Sequence, residues 1–236
     1  SGKLGNEILN CNKSYNIISP KKNLLDITKS KNVSSYFQST NFEVIIHCAA
    51  LARMSECEKS PNKASDTNIL GTYNLVSNAL QKEKEIGKKI RFIYISTDGV
   101  YACQDGDYNE TSPTKPYNFY GKTKLAAEGI SRTIEDHTII RTRFFDKFDI
   151  PFKDAATDII TSSIEINELS KAIIQSIDKD FKGTINIGSN AQSEYEIYKI
   201  YKADLRPGKR KDIVKNLYYE IAKNASMNIS LFKEIF

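Results

Sequence analysis

No stretch of this 236-residue sequence approaches the roughly 18 consecutive apolar residues that a membrane-crossing helix needs, and no basic-then-apolar leader opens it. The expectation is a soluble, cytoplasmic protein with no membrane among its partners. Histidine is scarce. His47 and His137 are the only two, and the four cysteines, Cys11, Cys48, Cys57 and Cys103, lack paired C-x-x-C spacing. Such a set assembles no zinc cluster, so no metal is expected and the cysteines read as reduced thiols. With no G-x-S-x-G elbow and no usable Ser-His-Asp set, hydrolase chemistry drops out. Neither sign of charge dominates: 34 basic and 29 acidic side chains are interspersed, the net charge is +5, and no nucleic-acid footprint is required.

What is present is an alternation of apolar runs with helical spacing. Phe42-Glu43-Val44-Ile45-Ile46-His47-Cys48 is nearly continuous, as expected of a parallel strand buried on both faces, and it ends in Ala49-Ala50. Small residues there let a cofactor approach the backbone. Ala64, Asn68, Ile69, Tyr73, Leu75, Val76 and Leu80 have the spacing of one helix from Pro61 to Leu80. Strands follow at Ile90 to Ile95 and Thr138 to Arg141, and Tyr15-Asn16-Ile17-Ile18 reads as an earlier one, leading to a helix around Val33 to Phe37. The predicted fold class is α/β, a Rossmann-like doubly wound parallel sheet over residues 1–143. From 144 to 236 the rhythm loosens. A helix capped by Asn167, a short strand at Gly183 to Ile187, a helix near Ser193 to Tyr201, a basic stretch around Arg206 and an amphipathic tail read as a small substrate-binding lobe.

The chemistry lies between Arg91 and Glu128, where a strand ends in Ser96-Thr97-Asp98 and a later helical stretch carries Tyr120 and Lys124. One helical turn separates the last two, placing an ammonium where it can stabilise a phenolate. Thr97 offers a hydroxyl at the carboxyl end of its strand, where α/β sheets hold ligands. A bare Tyr-x-x-x-Lys arises by chance in a chain with 13 tyrosines, but strand, loop and helix in this order point to carbonyl reduction or its reverse. Two other polar residues read as structural: His47 as a hydrogen-bonded core residue, Asn68 as a tie between helix and loop.

Gly2 and Gly5 lead into the helical Asn6-Glu7-Ile8-Leu9, and a helix N-terminus after glycines binds pyrophosphate through free N–H groups and its dipole. A dinucleotide loop normally follows an apolar strand that supplies an earlier glycine, and that strand is expected upstream of Ser1. The strand at Ile17-Ile18 ends in Ser19-Pro20-Lys21-Lys22 rather than in an acidic residue. Those lysines suit a 2′-phosphate and favour NADP (NADPH) over NAD, although two loop lysines are most often simply solvated. Asp26, followed by Ile27, is a candidate for the adenine edge.

With these residues in place the chain resembles the extended short-chain dehydrogenase/reductase superfamily, and within it the dTDP-4-dehydrorhamnose reductase group. The resemblance runs from Ser1 to about Gly188 and rests on Ser1 to Gly5, Val44 to Ala50, Asn68 to Leu75, Ser96-Thr97-Asp98 and Tyr120-Gly121-Lys122-Thr123-Lys124. It implies that Tyr120 donates the proton, that Lys124 holds the nicotinamide ribose and depresses the tyrosine pKa, and that Thr97 polarises the carbonyl. It also implies that Lys3, Leu4, Asp26, Ile27, Ala49, Ala50 and Leu51 line the dinucleotide, that Asp98 and the Phe144 region face the sugar, and that Arg206 handles the nucleotide diphosphate. The implied partners are a nucleotide-diphosphate sugar and a second copy of the chain in a homodimer. The implied reaction is NADPH-dependent reduction of the C4 ketone of a nucleotide-linked 4-keto-6-deoxyhexose.

Two positions depart from the group's pattern: Gly99 stands where an aromatic usually follows Thr-Asp, and Cys103 where glycine usually continues the loop. A 4,6-dehydratase would need an acid and a base side by side, and Asp98-Gly99 lacks the second carboxylate. An epimerase, or a combined epimerase/reductase using Cys103 for proton transfer, stays open. So does a non-catalytic NADP-binding regulatory subunit like that of methionine adenosyltransferase.

Overall fold

Four parallel strands in sequential order, β1 (Val44–His47), β2 (Arg91–Ile95), β3 (His137–Thr142) and β4 (Gly183–Ile187), form the central sheet of the computed structural model, which describes residues 2–215 and 217–236. Side chains of a strand alternate between its faces, and β2 is buried throughout and apolar from Phe92 to Ile95, so it feeds two cores at once. Ile93 and Ile95 pack with α1 (Lys3–Cys11) and α5 (Ile166–Gln175). Phe92 and Tyr94 pack with α2 (Ser30–Ser39), α3 (Gly71–Ile86) and α4 (Phe119–Ser131). Helices on both faces of a parallel sheet make this the expected doubly wound α/β architecture.

The structure departs from the sequence expectations in five places. Tyr15 to Ile18 is not a strand: no backbone ladder joins it to the sheet, Ile17 packs on the α1/α5 core, and Ile18 is 54% exposed. A strand exists only through hydrogen bonds to a neighbour, and an apolar pattern alone supplies none. β1 pairs only with β2 among the described residues, and Val44 to Ile46 are half-buried rather than buried on both faces. Beside this edge runs a cavity of about 1340 Å³, whose walls there include Ile17, Val44, Ile46 and Leu75.

The helix predicted from Pro61 is continuous but carries a π turn at Asp66–Leu70 between Pro61–Ser65 and α3. One wide turn re-aims the side chains within it, and Asn68 there bonds both backbone groups of Leu51 and the Thr123 hydroxyl. The cap of α5 is Glu165, which accepts from the Asn167 amide. Asn167 sits one residue inside the helix, and its side chain reaches Glu7 on α1 instead. Finally, 144–236 is not a lobe apart. β4 completes the main sheet and α5 packs on α1, because parallel pairing to β3 is open to any strand that returns at the right height. What stands off the sheet is smaller, a cluster of Ala155, Ile197, Tyr198 and Leu205. Among the described residues no helix is long and apolar enough to cross a membrane, and no group of three His, Cys, Asp or Glu side chains is placed to hold a metal.

Candidate active site

Asn118 caps α4, its Oδ1 accepting the Gly121 amide at 2.7 Å, and this fixes Tyr120 in the first turn. A side chain at Gly121 would put its Cβ 2.2 Å from the Gly99 carbonyl oxygen. Only a glycine lets α4 approach the turn at Asp98–Val100 this closely. Thr97 caps that turn: its hydroxyl accepts the Gly99 amide at 3.1 Å and donates to Asp98 Oδ1 at 3.1 Å. Thr97, Asp98, Tyr120 and Lys124 thereby line one cavity, and Gly2, Lys3, Leu4 and Gly5 line its other end.

Lys124 departs from its expected place. Its Nζ turns inward, donating to the Ile95 carbonyl at 2.6 Å and lying 4.1 Å from the centre of the Tyr94 ring. Burial lowers its pKa to about 7. Tyr120 is not depressed: burial first, then the Asp98 carboxylate, push its phenol above the usual value. The separation along the helix is as the spacing predicts. The long lysine stem, however, carries the charge to a buried carbonyl rather than to the phenol.

The buried lysine has a stability consequence. An unfolded chain holds that proton up to the ordinary value of 10.5 and the folded one only to about 7, so between these pH values the unfolded state binds more protons and stability rises with pH. Above pH 9 the thiols of Cys48 and Cys57, raised by burial to about 12 and about 11, act in the opposite direction. The thermal midpoint of the dinucleotide-free protein is therefore expected to climb from pH 7 to about pH 9. Lys124→Met should flatten that climb, and calorimetry of both proteins checks it; an unchanged slope in the variant rules out the lysine as the source.

Beneath these groups lies a buried network. Glu128, fully buried on α4, accepts from Arg141 Nε at 3.0 Å and Nη2 at 2.8 Å and from Ser96 Oγ at 2.6 Å, and Arg141 reaches on to the Tyr101 hydroxyl at 2.9 Å. A bidentate guanidinium–carboxylate pair fixes orientation as well as distance. It ties α4, β3 and the end of β2 together, and with them Tyr120 and Thr97.

At the other end, Gly2 caps α1 with no side chain on its N–H groups and no acidic residue in the first turn. An anion fits this end electrostatically. The Lys3 ammonium is paired with Asp149. Lys124 has three N–H donors and gives one to the Ile95 carbonyl, which leaves room for ribose oxygens. The residues thus suit a dinucleotide laid from α1 to α4. Ile27, Ala49, Ala50 and Phe144 also line the cavity, whereas Asp26, Leu51 and Arg206 do not. Asp26 accepts from Thr28 in its own loop, Leu51 is held by Asn68, and Arg206 forms an exposed bidentate pair with Asp154 at 2.8 and 2.9 Å. Lys21 and Lys22 are exposed.

His47 is the buried, hydrogen-bonded core residue expected, its Nε2 2.9 Å from the Thr72 hydroxyl, and Asn68 is the expected tie. All four cysteines are free. Cys103 adopts φ +56°, the left-handed conformation glycine favours, and burial holds its thiol well above the usual range. The sequence reading missed Arg143, whose side chain reaches the same cavity. The available signal was a charged residue directly after an apolar parallel strand, at the end where such sheets hold ligands.

The sequence profile of a family described as RmlD substrate binding domain matches residues 1–147. A Bacillus subtilis spore coat polysaccharide biosynthesis protein, SpsK, is 32% identical over 145 residues, covering 60% of this chain and 49% of that one. The methionine adenosyltransferase 2 subunit beta of Xenopus tropicalis is 34% identical over 121 residues, 51% of this chain and 34% of the relative. The chain thus spans half or less of these two relatives. Among solved structures, the dTDP-4-dehydrorhamnose reductase of Bacillus anthracis in complex with NADP superposes with a TM-score of 0.84 at 23% identity, over 99% of this chain and 88% of that one. At that identity the likeness is one of fold.

Proposed function

The chain belongs to the RmlD substrate binding domain family, and from that premise we propose that it is an NADPH-dependent reductase of the C4 ketone of a nucleotide-linked 4-keto-6-deoxyhexose. The observation that carries this reading is one cavity lined by Thr97, Tyr120 and Lys124 together with the glycine-led N-terminus of α1.

The chemistry follows from where charge develops. Reduction of a ketone builds an alkoxide in the transition state, so donors aimed at that oxygen accelerate the step. Tyr120, held protonated at neutral pH by burial and by Asp98, is suited to be the acid, releasing its Oη proton to the carbonyl oxygen. Thr97 exchanges its bond to Asp98 for one to the same oxygen. Lys124 and the α1 N-terminus hold the dinucleotide, with Ala49 and Ala50 leaving space for it. Bound there, NADPH supplies the hydride.

The test is loss of NADPH absorbance when the protein meets a freshly generated nucleotide-linked 4-keto-6-deoxyhexose. Turnover is expected. Tight NADPH binding without turnover on any of several keto sugars would overturn the reductase reading and favour a non-catalytic regulatory role.

A further inference from the structure

Arg143 is a cation in the cavity wall to which the reaction above gives no role. It follows β3 directly, its side chain is 24% exposed, and it shares the cavity wall with Thr97 and Tyr120. Its Nε donates to Asp98 Oδ2 at 2.6 Å. Its Nη1 stands 4.0 Å from Glu194 Oε1, too far for a hydrogen bond, and neither terminal nitrogen has a hydrogen-bond partner among the described residues. A guanidinium carries five N–H donors in a rigid planar fork, so one is used and four face the cavity or its wall unpaired. Donors fixed in one plane on the wall of a cavity and left unmatched by the protein point to a ligand that matches them.

The surrounding charge decides which ligand. Asp98, itself 2% exposed, and Glu194 flank the guanidinium, so a phosphate or carboxylate entering here would meet two acidic side chains at once. Neutral oxygens accept from a guanidinium without that repulsion. A pair of vicinal sugar oxygens matches the spacing of the fork. We propose that Arg143 is a substrate-binding residue that takes two neighbouring hydroxyl or keto oxygens of the sugar ring, next to the carbonyl oxygen that Thr97 and Tyr120 receive. This deepens the reductase reading and rests on it for the identity of the sugar.

Two variants separate the fork from the charge. Arg143→Lys keeps a cation for Asp98 but cannot bridge two oxygens; Arg143→Met removes both. For each, calorimetric Kd values would be measured for the nucleotide-linked keto sugar and for the bare nucleoside diphosphate, alongside KM and kcat. Both variants are expected to weaken the sugar nucleotide by about tenfold or more, as loss of charge-assisted hydrogen bonds does, while leaving the bare diphosphate within about twofold. An analogue lacking a ring hydroxyl next to the carbonyl should bind the wild type about tenfold more weakly, and Arg143→Lys should no longer discriminate against it. Equal affinity of wild type and both variants for the sugar nucleotide would overturn the proposal, as would an equal loss for the bare diphosphate. Because binding is read without turnover, a protein that discriminates the hydroxyl through Arg143 yet never oxidises NADPH would sink the reductase reading and leave this one standing.

Discussion

Tyr120→Phe is expected to lower kcat/KM for the keto sugar by about 10²- to 10⁴-fold, the range contributed by a positioned general acid. The substitution removes one oxygen from a side chain on the first turn of a helix whose cap, Asn118, and close approach, Gly121 against Gly99, are untouched. Binding of the sugar nucleotide should hardly change, because the proton is needed only as charge builds on the carbonyl oxygen, so the loss falls on kcat. Steady-state rates with the variant and the wild type check this. A loss smaller than tenfold would remove Tyr120 from the acid's role.

The second large effect lies out of the cavity. Glu128→Ala should destabilise the fold by about 3–5 kcal/mol, the cost of leaving a buried guanidinium without its carboxylate. Arg141 is 3% exposed, so no solvent replaces what is lost. Burial alone would raise the Glu128 pKa. The paired hydrogen bonds and charge of Arg141 outweigh it and hold the carboxyl below its usual value. A depressed carboxyl stabilises the fold above its unfolded pKa and loses that contribution as pH falls through the folded one. Urea denaturation at neutral pH reads the difference. A change below about 1 kcal/mol would mean that the bonds Arg141 already makes to the Tyr101 hydroxyl at 2.9 Å and the Glu110 carbonyl at 3.2 Å suffice to hold the guanidinium.

How much of this was legible in the sequence depends on the range of the interaction. The strands at Arg91–Ile95, His137–Thr142 and Gly183–Ile187 and the helix bearing Tyr120 announced themselves, since apolar continuity and helical spacing are local. The placement of Thr97 beside Tyr120 followed from chain order at the carboxyl ends of parallel strands. Side-chain direction did not follow. Lys124 lies one turn from Tyr120 as expected, yet its ammonium goes to the Ile95 carbonyl, because its long stem carries the charge past the phenol. Arg206 was placed by the family resemblance, and Asp154, 52 residues away in sequence, pairs with it. Asn167 has the chemistry of a helix cap, but the helix starts earlier and Glu165 caps it, accepting the backbone amide of Asn167 itself. Arg143 carried a positional signal, a charge directly after a parallel strand, but its partner Asp98 is set across the fold and not by local sequence.

The edge of β1 also bears on how the sheet can be extended. A parallel strand uses the polar groups of alternate residues toward each side, and on the side away from β2 those of the Val44–His47 run meet no strand among the described residues. Val44, Ile45 and Ile46 are β-branched, half-exposed and free of charge, with no proline to interrupt them. Edges of this composition accept another extended chain, so the free polar groups of β1 mark the side on which a further strand, such as the one expected upstream of Ser1, would extend the sheet.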